Sequence, residues 1–413
     1  MNIPKLIKVK QTFEKEHITD IEATVKKQIL DLNVSILPGA NIAVAVGSRG
    51  IANMKRIVKA TVDALKEKGA NPFIIPAMGS HGGGNAQGQK ELLASYGITE
   101  AYTGVPIKSS MQVIELPQGD LKNKVYMDKH AYEADGTVVI NRIKVHTDFH
   151  GPFESGLLKM CVIGLGKHKQ AIEIHRHGVY GLKELIPLTA RQVLKEGNII
   201  MGIGIVENAY DQTAIIKAVR PSEMEQEELK MIAYCRAHMP SILVKKLDVL
   251  IVDQMGKDIS GIGMDTNIIG RIKIKNEVEP GNPDITNIVV TDLTEASHGN
   301  ASGMGLADFI TKTLYEKINF KVTYENMLTS TFLERAKMPM IVGTDKLAVQ
   351  YALRTCGPIE SEDIKMIRIK NTLQLDEIYV STAVFDEIKD REDIEVIGEY
   401  QEIFGDKGKL LEF

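Results

Sequence analysis

Cysteine is scarce in this chain: Cys161, Cys235 and Cys356 are the three in 413 residues, widely separated and in no CxxC pair. An odd number at such spacings excludes a disulfide framework and a zinc ribbon. Long apolar runs are missing too. No uncharged stretch approaches the thickness of a bilayer, and the leading MNIPKLIKVKQTFEKEH has neither an apolar signal core nor a small-residue cleavage site. The expectation is a cytoplasmic protein with no membrane partner. Neither charge is in marked excess. The 50 Lys and Arg against 54 Asp and Glu leave a net charge of −4, and the basic residues are interspersed with acids, so no nucleic acid partner is expected. Tryptophan is absent, as are internal repeats, heptads and low-complexity segments.

What is present is ordinary globular composition, 44% hydrophobic and 25% charged, over a length that exceeds one core. Asn41–Gly47 (NIAVAVG) reads as a buried strand running into a turn that carries Ser48 and Arg49. Met54, Ile57, Val58, Thr61, Val62 and Leu65 recur at helical spacing, Gly69 and Asn71 stop that helix, and Pro72–Pro76 supplies the next strand. A βαβ unit implies a parallel sheet and the α/β class. The second strand empties into MGSHGGGNAQG, 78–88, before a helix near Gln89, which puts this loop at the carboxyl edge of the sheet, where open α/β sheets bind ligands.

Shorter strands are expected at 113–116, 125–127, 137–140, 197–206 and 213–219, and the Glu-rich helix at 221–236 reads as a solvated face. A second α/β pattern follows, with strands at 248–253 and 287–292, a helix carrying Leu306, Phe309, Ile310 and Leu314 on one face, and strands at 338–342, 367–369 and 378–381. The division is drawn as 1–242 and 243–413, with a tail from about residue 387 returning to the N-terminal domain.

Chemistry concentrates in 141–178, NRIKVHTDFHGPFESGLLKMCVIGLGKHKQAIEIHRHG, where His146, His150, His168, His175 and His177 make up half of the ten histidines. Lys159 lies there in an almost uncharged run, where burial disfavours the ammonium and frees the amine for covalent or ligand work. Each residue taken alone has a plainer reading, a lysine snorkelling from an apolar face or histidines lining a loop. The glycines of 79–84 allow backbone N–H groups to approach an anion, although the run is neither GxGxxG nor a P-loop, and His81 at its centre is placed for proton transfer. Arg49 carries a planar fork suited to a carboxylate or phosphate. His146 and His150, spaced HxxxH, suit either two metal ligands on a helical turn or proton transfer, but the glutamate of HExxH is missing and Pro152 disfavours a helix.

With Arg49, GSHGGG, the His146/His150 pair, Lys159 and His175 assembled, the chain resembles the nickel-pincer lactate racemase family over most of its length. The order of motifs and the sixteen-residue step from Lys159 to His175 carry the likeness. The resemblance implies two α/β domains with a cofactor cleft between them and a nickel-pincer nucleotide (pyridinium-3,5-bisthiocarboxylic acid mononucleotide nickel) joined covalently to Lys159. It implies His175 as the nickel ligand, and His81 with His146 or His150 as the acid/base pair on opposite faces of the substrate. Arg49 would hold the substrate carboxylate, Ser48 or Gly82 the cofactor phosphate. Lys257 and Asp258 match a KD pair of the family, and Lys257 is placed with the cofactor. The loop 295–305 brings Glu295 and His298 toward the substrate pocket.

The activity implied is racemisation or epimerisation of a 2-hydroxy acid through a planar 2-keto acid, with enzymes of cofactor biosynthesis as partners and an oligomer compatible with the sequence. Two departures bear on substrate and base. Ile262, Gly263 and Thr266 stand where the family has other pocket residues, so a larger or differently charged 2-hydroxy acid, such as a sugar acid or dicarboxylate, fits at least as well as lactate. Lys159 lies thirteen residues after His146 and nine after His150, which leaves the second base open between them. Competing readings are a zinc hydrolase or lyase using His146, His150 and His175 or His177, and a non-catalytic carrier of a nucleotide-like ligand at the glycine loop.

Overall fold

The computed structural model describes residues 2–47 and 50–413. The chain divides into two units: Glu14–Met239, and Pro240–Phe413 together with the residues before Glu14. The leading residues therefore fall outside the N-terminal unit, unlike the expected 1–242. The cause is the strand Ile7–Gln11 (β1), whose backbone finds its partners in the second unit's sheet.

In the N-terminal unit Asn41–Val46 (β2), Asn71–Pro76 (β3), Gly136–Arg142 (β6), Ile199–Glu207 (β7) and Thr213–Val219 (β8) form a five-stranded sheet ordered β3-β2-β6-β7-β8, while Val113–Leu116 (β4) and Val125–Asp128 (β5) pair as a separate ribbon. The first four strands of the sheet run parallel and β8 is antiparallel to β7. Ile42, Val44, Val46, Val138, Ile140, Met201, Ile203 and Ile205 bury one face in a core with the helices Ile21–Leu32 (α1) and Met54–Glu67 (α2). Alternate residues of β7 meet the other face, and there Gly202 and Gly204 make room. A methyl on either would lie 2.8 Å from Met224 or Met231. Three further helices matter below: Ala86–Ser95 (α3), Lys167–His175 (α4) and Met224–Ala237 (α5).

The second unit is built on an eight-stranded sheet of Lys246–Met255 (β9), Asp284–Leu293 (β10), Phe309–Thr311 (β11), Met340–Val342 (β12), Met366–Ile369 (β13), Glu377–Val380 (β14) and Ile394–Val396 (β15) with β1, ordered β12-β11-β10-β9-β13-β14-β1-β15. It is parallel from β12 to β13 and antiparallel beyond. Two expectations are corrected here. The helix over Leu306, Phe309, Ile310 and Leu314 is interrupted by a strand at 309–311, with Leu306 and Leu314 in short helical turns on either side, because a short apolar run buried on both faces fits helix and central strand equally well by periodicity. The tail pairs through β15 with β1 and so stays in this unit. Among the described residues no helix is long and apolar enough to cross a membrane.

Candidate functional site

The first strand of the N-terminal sheet, β2, has β3 on one side and β6 on the other, so the chain turns away in opposite directions from the carboxyl ends of β2 and β6. That is the switch point at which open α/β sheets form a crevice. The lysine stretch is tied to it. Asn141, in β6, donates from Nδ2 to the carbonyl of Gly156 at 2.8 Å, and Gly156 opens the helical turn Leu157–Lys159, which continues as a π-helical turn over Met160–Gly164. Gly47, just past β2, stands against the other atom of the same amide: a methyl there would lie 3.0 Å from Asn141 Oδ1.

At the end of this turn Lys159 Nζ is 2.6 Å from Nε2 of His146. The backbone N–H of Asp148 donates to His146 Nδ1 at 3.0 Å, so Nδ1 holds the lone pair and the neutral ring carries its proton on Nε2. The Asp148 carboxylate, 3.8 Å from the same nitrogen, is beyond hydrogen-bond range. Nε2 is thus the ring nitrogen that faces the Lys159 amine.

His175 closes α4. Its Nδ1 meets the carbonyl of Ala171 one turn back at 2.6 Å. Since a carbonyl only accepts, Nδ1 carries the proton and Nε2 the lone pair, which is the tautomer a metal ligand needs. Burial holds this imidazole below its ordinary pKa, and Lys159, near enough for its charge to be felt when protonated, pushes the same way. At neutral pH His175 is thus a neutral imidazole near Lys159.

The start of α4 is fixed by Lys167, whose Nζ lies 2.9 Å from the buried Asp128 carboxylate and donates to the carbonyl of Pro76 at the end of β3. From Pro76 the chain passes into the glycine turn, where Gly82, Gly83 and Gly84 have φ of 63°, 68° and 62°. Buried Gln89 of α3 holds the turn from behind, donating to the carbonyls of Gly79 and His81 at 3.0 and 3.2 Å. The turn also packs on the lysine and histidine elements. A methyl on Gly79 would lie 2.8 Å from Ile163, and one on Gly84 would lie 2.6 Å from Nδ1 of His168. His81 is exposed on this turn and Gly82 is half-buried.

Helix α5 supports the stretch from below. Glu228, fully buried, accepts the N–H of Leu158 at 3.0 Å. Two turns on, Arg236 donates to the carbonyl of Gly151 and to Glu154 Oε1, both at 2.6 Å. Glu154 is buried and also accepts the backbone N–H groups of His146 and Gly151. Burial raises its pKa, but His150, the His146 N–H and Arg236 outweigh that and hold it below the usual value. His150 is exposed and sets its Nδ1 3.5 Å from Glu154 Oε1. His146 and His150 therefore serve different partners from an irregular loop. Among the described residues no three His, Cys, Asp or Glu side chains gather as a metal site.

His146, Lys159, His175 and the glycine turn are thus assembled at one sheet edge, and His150 lies on the same loop as His146. Ser48 and Arg49 lie outside the described residues. The remaining candidates belong to the second unit and are engaged within it. Lys257 donates from Nζ to Asn326 Oδ1 at 2.9 Å and to the Gly261 carbonyl, Glu295 pairs with Lys317 at 2.9 Å, and exposed His298 has a left-handed φ of 48°. Glu154, Gln89, Lys167 and Glu228 were not singled out from sequence. Only Glu228 left a signal there: it falls on the stripe Met224, Glu228, Met231, Ile232 that α5 buries, so the supposed solvated face has an acid in its apolar seam.

A family model described as a domain of unknown function (DUF362) matches residues 40–254, a little over half of the chain. The comparison with curated proteins finds no match. Among solved structures, the lactate racemase apoprotein from Thermoanaerobacterium thermosaccharolyticum is similar at a TM-score of 0.51 and 14% identity, over 90% of this chain and 99% of that one. A crystal structure of a Thermotoga maritima protein, a Northeast Structural Genomics Consortium target, reaches a TM-score of 0.49 at 13% identity, over 68% of this chain and 72% of that one. The fold is mixed α/β and lactate-racemase-like.

Proposed function

Because this chain belongs to the DUF362 family and has a lactate-racemase-like fold, we propose that it is an isomerase that inverts C2 of a 2-hydroxy acid other than lactate, using a nickel-pincer nucleotide joined to Lys159. The observation that carries this reading is the pairing of the Lys159 amine with His146 Nε2 beside a His175 whose own Nε2 holds a lone pair. One residue is poised to form a covalent bond and the other to bind a soft divalent metal, and a group that needs both fits this donor set. Bound there, the group supplies a site that takes up a hydride from C2 and returns it.

The protein's own tasks are attachment, orientation and proton transfer. Lys159 holds the group through its amine, and His175 fills one metal position. The glycine turn, with its positive-φ backbone, receives an anionic portion at Gly82. His150 is the better oriented of the two loop histidines for acid/base work. Its Nδ1 faces the Glu154 carboxylate at 3.5 Å, which orients the ring and leaves Nε2 to take the hydroxyl proton. His81 on the glycine turn serves the opposite face. His146, engaged with Lys159, prepares the anchor. Ser48, Arg49, Lys257, Glu295 and His298 are retained as candidates for phosphate, carboxylate and pocket contacts.

Intact-mass and nickel analysis of the chain produced together with enzymes of pincer-cofactor biosynthesis tests the reading. Added mass mapping to Lys159, stoichiometric nickel and no added mass in Lys159→Arg are expected, followed by turnover in a screen of 2-hydroxy acid epimers. An unmodified Lys159 in a host that loads a control racemase would sink it.

A further inference from the structure

The turn that presents Lys159 has no local cap. Gly156 occupies the cap position with no side chain, and the first N–H groups of the turn would go without an acceptor in a buried setting. They are met from α5, 70 residues on in sequence: Glu228 Oε2 accepts from Leu158 at 3.0 Å, and the neighbouring Leu157 N–H favours the charged form of the same carboxyl group. The approach is tight. A methyl on Gly156 would lie 2.3 Å from the carboxyl carbon, so the acid reaches the turn only because residue 156 lacks a side chain. The group is also costly. Its second oxygen, Oε1, is buried with no hydrogen-bond partner, in a seam whose other members are Met224, Met231 and Ile232. An apolar residue would be the cheaper occupant if nothing needed the acceptor.

We propose that Glu228 is the positioning residue for Lys159: its carboxyl oxygen, seated against Gly156, fixes the turn Leu157–Lys159 so that the lysine amine is held against His146. The proposal rests on reading Lys159 as the functional anchor and adds the element that aims it. Burial pushes the Glu228 carboxyl up to about 7, against the opposing pull of the two N–H groups, so a neutral acceptor serves at this position. The charge is dispensable and the oxygen is not.

The test uses the full apo chain and three variants: Glu228→Gln, which keeps an acceptor oxygen; Glu228→Leu, which removes it; and Gly156→Ala, which displaces it. A short pulse of acetic anhydride at about pH 8, followed by peptide mapping, reads Lys159 acetylation against exposed Lys195, and hydrogen exchange reads the Leu157 and Leu158 amides. Parent and Glu228→Gln are expected to agree. Glu228→Leu and Gly156→Ala are expected to lose about tenfold in relative Lys159 reactivity, as the amine leaves its place against His146, with faster exchange at the two amides. Parental reactivity in folded Glu228→Leu or Gly156→Ala overturns the proposal, as does a Glu228→Gln that falls as far as Glu228→Leu. Should the leucine variant not fold, the other two decide. The functional reading fails separately, if the parent shows normal acetylation but takes up no cofactor on Lys159.

Discussion

Lys159, His146 and His175 separate into distinct jobs once their hydrogen bonds are traced. His146→Ala is expected to leave the fold intact and to slow Lys159 acetylation, because the side chain that holds the amine in place is gone. His175→Ala should keep the added mass on Lys159 while losing nickel, and equal nickel retention in this variant would remove His175 from the metal site. Glu228 carries a pH signature of its own. Its folded pKa of about 7 lies above the ordinary carboxyl value of about 4.3, so its contribution to stability is fully present below that ordinary value and is lost as pH rises through 7. Chemical denaturation of parent and Glu228→Gln between about pH 5 and 8 should therefore diverge in favour of the amide, by on the order of 2–3 kcal/mol at the upper end. Parallel profiles would show that the carboxyl is not held in its neutral form.

At the scale of elements, the glycine turn and α5 act on the same stretch from two sides. Gly84 combines a φ of 62° with a methyl position 2.6 Å from His168 Nδ1, so Gly84→Ala meets both backbone strain and a clash. Left-handed backbone alone costs roughly 1–2 kcal/mol for a residue with a Cβ. This variant is expected to lose turnover and some stability while Lys159 still accepts its cofactor, since the turn is not part of the anchor. Elements were also where sequence patterning was most and least informative. The strands at 113–116 and 213–219 coincide with β4 and β8, where β-branched residues lie between clear turn residues. The strand at 309–311 did not declare itself, because burial on both faces erases the alternation that identifies a strand. The helix at 221–236 was legible as a helix, but its many acids hid the single one that points inward.

For the molecule as a whole, the second unit shows how a doubly wound sheet joins distant sequence. Arg368 in β13 is buried and forms a two-pronged pair with Asp253 of β9 at 2.9 and 2.7 Å, while its Nη2 also donates to the Leu411 carbonyl. Arg368→Ala would leave the Asp253 carboxylate uncompensated in the sheet, at a cost of about 3–5 kcal/mol by denaturant unfolding, and Arg368→Lys should recover little because an ammonium cannot make the fork. Sequence alone determined that this is an α/β chain, and it marked the glycine-rich and histidine-rich loops after the strands, with Lys159 in its apolar run, as the candidate site. Those features are local: periodicity, glycine runs and a charge in an apolar neighbourhood are written in consecutive residues. Only the tertiary structure decided that β1 belongs with the C-terminal unit, that His146 and not His150 meets Lys159, and that Glu228 caps the lysine turn. Each of these is a pairing across tens or hundreds of residues, set by hydrogen-bond geometry and burial that no window of sequence contains.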